Sequence, residues 1–215
     1  MGQIIFATGN KGKLREINAI LEGTGLSVVA MKDAGYDIPI DETGKTFMEN
    51  ALIKAGAVCE ASGCIALADD SGLVVDALGG EPGIYSSRYM GEDTSYDIKN
   101  RAIIDRLLGV TGDDRSARFV CAMAAVFPDG RKLTVEETFE GVIGYEIRGE
   151  NGFGYDPIFY LPEYGCSSAE LSPEDKNAIS HRGKALRKMK DALLEALAEG
   201  RCKAASEKEG AEGEA

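Results

Sequence analysis

The chain has 215 residues, of which 44% are hydrophobic, and its 36 acidic and 24 basic residues give a formal net charge of −12. This hydrophobic content suffices for a buried core, and the negative charge argues against non-specific binding to nucleic acid or to an anionic membrane. No run is apolar enough to span a bilayer, and no secretory leader is recognisable. Five cysteines without C-x-x-C spacing indicate reduced thiols, so we expect a cytoplasmic protein.

Predicted strands and helices alternate in the first part of the chain. An apolar run predicts a buried strand over residues 3–7, and apolar residues at helical spacing predict a helix directly after it. A second strand over 26–31 and a polar loop over 32–43 follow. Thr46 and Glu49 have the spacing of a capping box, which predicts that the next helix begins beside Thr46.

The remainder of the chain continues this pattern. Residues 64–78 are apolar, then doubly acidic, then apolar, which predicts two strands that meet at an acidic corner. A helix is predicted over 98–108, and "PDGR" between two apolar runs predicts a β-hairpin. The strongest helical pattern covers 172–198 and predicts one continuous helix. Residues 202–215 are small and charged, and we expect a disordered acidic tail after an α/β domain with a mixed sheet over residues 1–201.

The stretch "ATGNKGK" joins the first predicted strand to the first helix. It is not a Walker P-loop, because only two residues separate Gly9 from Gly12 and because Leu14 follows Lys13. It nevertheless combines backbone N–H groups, a helix N-terminus and lysines, which together can bind an anion. A simple strand-to-helix turn with two solvated lysines explains the same residues.

Asp69, Asp70 and Ser71 follow a second apolar run. Adjacent side chains on a strand point to opposite faces, so we expect only one of the two carboxylates to face a given cleft, while the other has a structural or capping role. Acidic residues after an apolar strand are typical of the ligand-binding edge of an open α/β sheet. A polar loop with an Asx turn is the alternative.

Two further groups have the residue types of a ligand site. Asn50 and Lys54 are four residues apart and share a helix face, so Lys54 is either a phosphate contact or a surface lysine. The segment "NGFGYDP" holds Phe153, Tyr155 and Asp156 among glycines, where an aromatic ring can stack on a base or fill the core.

His181 is the only histidine, so any mechanism with a catalytic histidine must use it, and no nucleophile elbow is present. It precedes Arg182 and follows Lys176 in the same predicted helix. The three cationic or donor side chains either form a solvated face or donate hydrogen bonds to a ligand that is rich in acceptors.

Five segments in this order resemble the inosine triphosphate pyrophosphatase family: "ATGNKGK", "ETGKTFMENALIKA", "ALADDSGLVVDALGGEPGIYSSRY", "GFGYDP" and "EDKNAISHRGKAL". The resemblance covers residues 3–199. Members of this family hydrolyse dITP, ITP and XTP to the monophosphate and pyrophosphate, which keeps these nucleotides out of DNA and RNA. The resemblance therefore implies a two-lobed α/β fold with the active-site cleft between the lobes, Mg²⁺ dependence and a homodimer.

The resemblance also implies roles for individual residues. Asp70 corresponds to the catalytic acid and a metal ligand, and Glu42 to the second metal ligand, although the adjacent Asp41 leaves that assignment open by one position. The implied substrate contacts are Thr8, Gly9, Asn10, Lys11, Gly12, Lys13, Lys54, Ser71, Phe153, Gly154, Tyr155, Asp156, Lys176, His181 and Arg182.

The implied chemistry agrees with these residue types. Hypoxanthine and xanthine have an acceptor at position 6 where adenine has an amine, so hydrogen-bond donors such as Lys176, His181 and Arg182 favour the deaminated bases. Guanine shares the 6-oxo group, and no residue in the sequence explains its exclusion. Two other functions remain open, namely a nucleotide-binding sensor without turnover and a pyrophosphatase for modified pyrimidine nucleotides.

Overall fold

A computed structural model describes the backbone of residues 3–212 and the side chains of residues 3–199. Strands and helices alternate at first, then a β-meander leads to two C-terminal helices. The elements are β1 (Ile4–Phe6), α1 (Lys11–Leu21), β2 (Val28–Ala30), α2 (Phe47–Ser62), β3 (Ala66–Val75), α3 (Tyr96–Arg106), β4 (Ser116–Val126), β5 (Lys132–Ile143), β6 (Phe159–Leu161), β7 (Cys166–Ser167), α4 (Pro173–Ile179) and α5 (His181–Glu212).

All seven of these strands form one sheet in the order β2-β1-β3-β4-β5-β6-β7. β1 is parallel to both of its neighbours, and every other pair is antiparallel. The predicted mixed α/β sheet and the hairpin between β4 and β5 are therefore confirmed. In the β1–β3 ladder, β1 pairs only with Ala66 and Leu67, so most of β3 continues past the end of β1.

Helices cover both faces of the sheet, and β3 contributes to each face in turn. The side chain of Leu67 packs in a core cluster with residues of α1 and α5. Its neighbours Ala66 and Ala68 pack on the opposite face, in a cluster with residues of α2. A third cluster, which includes Phe159 and Ile103, covers the end of the sheet beyond these two. The alternation along β3 decides which helix faces each of its polar residues.

The prediction of two strands meeting at an acidic corner is wrong, because β3 is a single strand of ten residues. Asp69 and Asp70 lie in its middle and pair with Met123 and Ala122 of β4. The ladder with β4 continues without interruption. The two carboxylates project from opposite faces of β3, and each accepts hydrogen bonds from its own donors there. Consequently the acids lie beyond the end of β1 but not beyond the end of their own strand.

The prediction of one continuous helix over 172–198 is also wrong. The helix breaks at Ser180, whose backbone is extended and whose Oγ accepts a hydrogen bond from the N–H of Gly183 at 3.1 Å. Ser180 thus caps a new helix, α5. The break places His181 and Arg182 in the first turn of α5.

Three further predictions concern the ends of elements and the extent of the domain. The N–H of Glu49 donates to Oγ1 of Thr46 at 3.1 Å, which confirms Thr46 as the cap of α2. α5 is assigned as far as Glu212, whereas a disordered tail is predicted from residue 202. The side chains beyond residue 199 lie outside the described part, so the disordered tail stays a prediction. The two-lobed domain over residues 1–201 also stays a prediction.

Gly72 of β3 provides a test of close packing against the 3-10 segment Gly83–Arg88. A Cβ at Gly72 would lie 2.4 Å from the carbonyl oxygen of Gly83 and 2.5 Å from Oγ of Ser86. We expect Gly72→Ala to lower the free energy of unfolding by about 1–3 kcal/mol, because overpacking forces the two segments apart. Urea denaturation followed by circular dichroism measures this change.

Gly56→Ala in α2 is the matched control. A Cβ at Gly56 meets nothing within 4 Å, so alanine should raise stability by about 0.5–1 kcal/mol through its helix propensity. Equal effects of the two substitutions would contradict the tight contact at Gly72.

Candidate active site

A cleft of about 500 Å³ opens on the face of the sheet that α1 and α5 cover. It brings together ten of the predicted substrate residues from the first helix, the middle of β3, the glycine-rich loop 151–157 and the two C-terminal helices. These lining residues are Asn10, Lys13, Ser71, Phe153, Gly154, Tyr155, Asp156, Lys176, His181 and Arg182. The remaining predicted residues, which do not line this cleft, are Thr8, Gly9, Lys11, Gly12, Glu42, Lys54 and Asp70.

The loop before α1 is organised by Asn10. Its Oδ1 accepts hydrogen bonds from the N–H groups of Gly12 at 2.8 Å and Lys13 at 3.3 Å, so Asn10 is the N-cap of the helix. Its own N–H donates to Oγ1 of Thr8 at 3.1 Å. The loop is therefore both an ordered strand-to-helix turn and the support that directs Lys13 into the cleft.

Asp69 is a buried carboxylate that contacts two of the cations lining the cleft. Its Oδ2 lies 2.7 Å from Nζ of Lys13 and 3.8 Å from Nε of Arg182, and it accepts a hydrogen bond from Oγ of Ser71. Burial alone would raise the pKa of Asp69, but the charges of Lys13 and Arg182 outweigh burial and hold this pKa at about 2. Asp69 is thus ionised and keeps two of the cleft's cations in place.

Asp70 faces the opposite side of β3, toward α2. Its Oδ2 accepts a hydrogen bond from Nδ2 of Asn50 at 3.0 Å, and its Oδ1 accepts from Nζ of Lys54 at 3.3 Å and from the N–H of Ser71 at 3.2 Å. Burial raises the pKa of Asp70, an effect that Lys54 and Asn50 only partly offset. Oε1 of Glu42 lies 3.3 Å from the same Nζ, so Lys54 links Glu42 to Asp70.

The adjacent acid, Asp41, has an exposed side chain. Its backbone carbonyl accepts a hydrogen bond from the N–H of Thr43 at 3.0 Å. Asp41 and Glu42 are the two candidates for the second metal ligand. Of these, Glu42 is the one that Lys54 connects to Asp70.

Phe153 contributes an aromatic ring to the cleft, and two cationic side chains lie beside it. Phe153 is 53% exposed, and the charged groups of Lys176 and Arg182 lie 5.3 and 5.4 Å from the centre of its ring. The ring of His181 stacks on Phe119 at 4.9 Å. Burial, together with the charges of Arg182 and Lys176, lowers the pKa of His181 well below its ordinary value, so its imidazole is neutral.

Asp156 and Tyr155 are buried supports of the glycine-rich loop. The carboxylate of Asp156 accepts hydrogen bonds from the N–H of Phe153 at 2.8 Å, from Oγ of Ser168 at 3.0 Å and from Nζ of Lys176. The hydroxyl of Tyr155 donates to the carbonyl oxygen of Ser86 at 2.7 Å. These contacts hold Phe153 and Lys176 at the cleft. Asp156 and Tyr155 also line the cleft, and the nucleotide contacts that the resemblance implies for them stay predictions.

Three supporting residues are absent from the predicted site. Asp69 is anticipated only as a structural or capping acid, Asn50 only as a residue on the face of Lys54, and Phe119 not at all. The apolar neighbours of Asp69 indicate burial, and a buried carboxylate requires cationic partners. No sequence signal identifies Phe119, because its contact with His181 joins positions 62 residues apart.

The described side chains define an α/β protein whose cleft suits a polyanionic ligand that carries a planar ring. Within the described ranges, no helix is long and apolar enough to cross a membrane. The family model of the Ham1 family matches residues 4–192, so the chain belongs to the Ham1 family. The resemblance that the sequence motifs indicate is therefore confirmed.

Similar proteins agree with this assignment. A dITP/XTP pyrophosphatase of Bacillus licheniformis is 50% identical over 196 residues, which cover 91% of this chain and 99% of that relative. The solved structure of a HAM1 protein from Coxiella burnetii is 41% identical, with a TM-score of 0.85 over 91% of this chain and all of that one. The Staphylococcus aureus Ham1 protein is also 41% identical, with a TM-score of 0.83 over 90% of this chain and 98% of that one.

Asp69→Asn tests the ionic contacts of this buried carboxylate. We expect the substitution to lower the free energy of unfolding by about 3 kcal/mol at pH 7, because it leaves buried cations without their counter-charge. The folded-state pKa of Asp69 is lowered to about 2 from 3.8, so the stabilisation exists above pH 4 and is lost as the pH falls toward 2. Denaturant titrations at pH 7 and pH 3 measure both effects.

Asp97→Asn is the control, since Asp97 pairs with Arg101 at 3.1 Å on the surface of α3. We expect a change of about 0.5 kcal/mol or less from this exposed pair. A comparable loss in both variants would show that burial gives the Asp69 contacts no special weight.

Proposed function

We propose that the protein hydrolyses deaminated purine nucleoside triphosphates, namely dITP, ITP, XTP and dXTP, to the monophosphate and pyrophosphate. Such an activity would prevent their incorporation into DNA and RNA. The observation that carries the proposal is a single cleft lined by Lys13 and by the ring of Phe153, with Lys176 and Arg182 5.3 and 5.4 Å from the ring centre, beside the Asp70 strand. The dITP/XTP pyrophosphatase names of the relatives support the same activity.

Lys13 and Lys54 are suited to hold the triphosphate from the two faces of β3. They pair with the adjacent residues Asp69 and Asp70, and the β1 ladder ends before this point. A polyphosphate that lies beside β3 at this point can contact both lysines. Each close contact is worth about 1–4 kcal/mol in a partly screened site, which offsets the repulsion from the chain's net negative charge.

The base would stack on Phe153 and present its acceptors to the surrounding donors. Lys176 and Arg182 can only donate hydrogen bonds, while the neutral imidazole of His181 can donate from one nitrogen and accept at the other. Where it faces Lys176 or Arg182, the exocyclic amine of adenine would meet only donors and remain unpaired, at a cost of about 1–3 kcal/mol. This arrangement favours the 6-oxo bases.

Glu42 and Asp70 would hold a Mg²⁺ ion. The described residues contain no group of three or more histidine, cysteine or acidic side chains around a common point, but Mg²⁺ requires only one or two carboxylates besides water and phosphate oxygens. The ammonium of Lys54 lies 3.3 Å from both carboxylates, so their charges already converge on one cation. When bound, the ion would neutralise phosphate charge and lower the pKa of water.

Asp70 would accept the proton of the attacking water as pyrophosphate leaves. Asn50 and the N–H of Ser71 fix the orientation of its carboxylate, and Lys54 limits the charge that builds up beside it.

We further propose a cytoplasmic homodimer that has no nucleic-acid partner. Four cysteines of the described part, Cys59, Cys64, Cys121 and Cys166, are free thiols, which suits a reducing compartment. The net charge of −12 opposes binding to nucleic acid. Light scattering during size-exclusion chromatography tests the dimer.

A nucleotide panel tests the activity. The protein should release pyrophosphate from dITP and XTP with Mg²⁺ at rates at least tenfold above those for dATP and dTTP, because the donors around Phe153 select against adenine and the ring cleft favours purines. Binding of dITP without release would favour a nucleotide sensor. Faster release of pyrophosphate from modified pyrimidine triphosphates would favour a pyrophosphatase for modified pyrimidine nucleotides.

Asp70→Asn should reduce kcat for dITP by at least a thousandfold while the dissociation constant for dITP changes by less than about fivefold. The amide preserves shape but cannot accept the proton. Rapid-quench turnover and calorimetric binding measure the two quantities. Turnover at the wild-type rate would refute the role of Asp70.

A further inference from the structure

Asn50 is a completely buried polar residue near the start of α2. Asparagine is unfavourable inside helices because its side chain competes with the backbone for hydrogen bonds. Here its amide instead contacts two other parts of the chain. Its Oδ1 accepts a hydrogen bond from the N–H of Gly44 at 2.9 Å, and its Nδ2 donates to Oδ2 of Asp70 at 3.0 Å.

The chemistry of the partners fixes the orientation of this amide. A backbone N–H can only donate, so the amide oxygen must face Gly44, and the amide nitrogen then faces Asp70. An ionised carboxylate can only accept, which suits that nitrogen. Both contacts use the amide in one orientation, and the side chain bridges the segment of Glu42 and the strand of Asp70.

The segment that carries Glu42 is packed tightly against this bridge. A Cβ at Gly44 would lie 2.6 Å from Oδ1 of Asn50 and 2.9 Å from its backbone nitrogen. The following residues are held as well, because Oε2 of Glu49 accepts from the N–H of Lys45 at 2.6 Å. The position of Glu42 relative to β3 therefore depends on the first turns of α2.

We propose that Asn50 is a positioning residue that sets the separation and orientation of Glu42 and Asp70, and thereby the affinity of this acid pair for a divalent cation. Its consequence for turnover rests on the proposed function, but its effect on cation binding does not. Residues that orient metal ligands through hydrogen bonds change metal affinity or activity by about 10–100-fold when they are substituted.

Asn50→Leu removes both hydrogen bonds at similar volume, and Asn18→Leu is the control at an exposed bridging asparagine. Asn18 also bridges a helix and another segment, since its Nδ2 donates to the carbonyl oxygen of Val28 at 3.1 Å and its Oδ1 accepts from the N–H of Val28 at 3.3 Å. It lies outside the lining of the cleft. Because Asn50 is buried and Asn18 is exposed, the free energy of unfolding is measured for both variants, and Mn²⁺ binding is compared under conditions in which both are folded.

The primary readout is Mn²⁺ binding without nucleotide, measured by electron paramagnetic resonance of the free ion. We expect the dissociation constant for Mn²⁺ to rise at least tenfold in Asn50→Leu and less than twofold in Asn18→Leu. The dissociation constant for dITP in EDTA should change less than threefold in both, because the cleft residues are untouched. Unchanged Mn²⁺ binding in Asn50→Leu, or equal losses in both variants, would overturn the proposal.

Gly44→Ala decides the question if Asn50→Leu does not fold. It keeps Asn50 but displaces the amide oxygen from the Glu42 segment, so Mn²⁺ binding should again weaken at least several-fold, and wild-type binding would contradict the bridge. If wild-type protein hydrolyses none of the nucleotides, the proposed function fails, while the Mn²⁺ measurements still judge the role of Asn50.

Discussion

The organisation of the site depends on the alternation of side chains along β3 at Asp69 and Asp70. Two adjacent carboxylates on the same face of a buried strand would repel each other and lose hydration together. On opposite faces, each has its own cations, with Lys13 and Arg182 on one side and Lys54 on the other. The strand thus requires basic residues from α1 and α5 above the sheet and from α2 below it.

The same alternation explains how a strongly acidic protein presents a cleft for an anionic ligand. The cations of the cleft are held by buried acids of the chain: Lys13 by Asp69, and Lys176 by Asp156. These pairs keep the lysines extended toward the cleft without ligand, so little side-chain freedom is lost on binding. Oδ1 of Asp69, Nδ1 of His181 and Nε of Arg182 are buried without a hydrogen-bond partner among the described residues. Such unsatisfied atoms concentrate where a ligand or water completes the network.

The sequence predicts most elements, because local propensities are properties of short segments, and the family resemblance of its motifs supplies ten substrate residues that line one cleft. It fails at β3 and at Ser180. The acidic corner is predicted because two charges usually interrupt a buried strand, and only the distant partners Lys13, Asn50 and Lys54 allow the strand to continue. Ser180 is readable in retrospect as a helix cap, yet the apolar periodicity continues across it. Asp156 has a loop-supporting role that depends on Ser168 and Lys176, which no local pattern reveals.

Ser86 connects β3 to the loop that carries Phe153. Its Oγ accepts a hydrogen bond from the N–H of Leu73 in β3 at 2.9 Å, and its carbonyl oxygen accepts from the hydroxyl of Tyr155 at 2.7 Å. The next carbonyl, that of Ser87, accepts from the buried ammonium of Lys99 at 2.7 Å. The segment of Ser86 and Ser87 therefore connects the strand of Asp69 and Asp70 to the loop of Phe153. The strand of Asp69 and Asp70 and the loop of Phe153 are thus anchored to the same segment, which ties these two parts of the site into one unit.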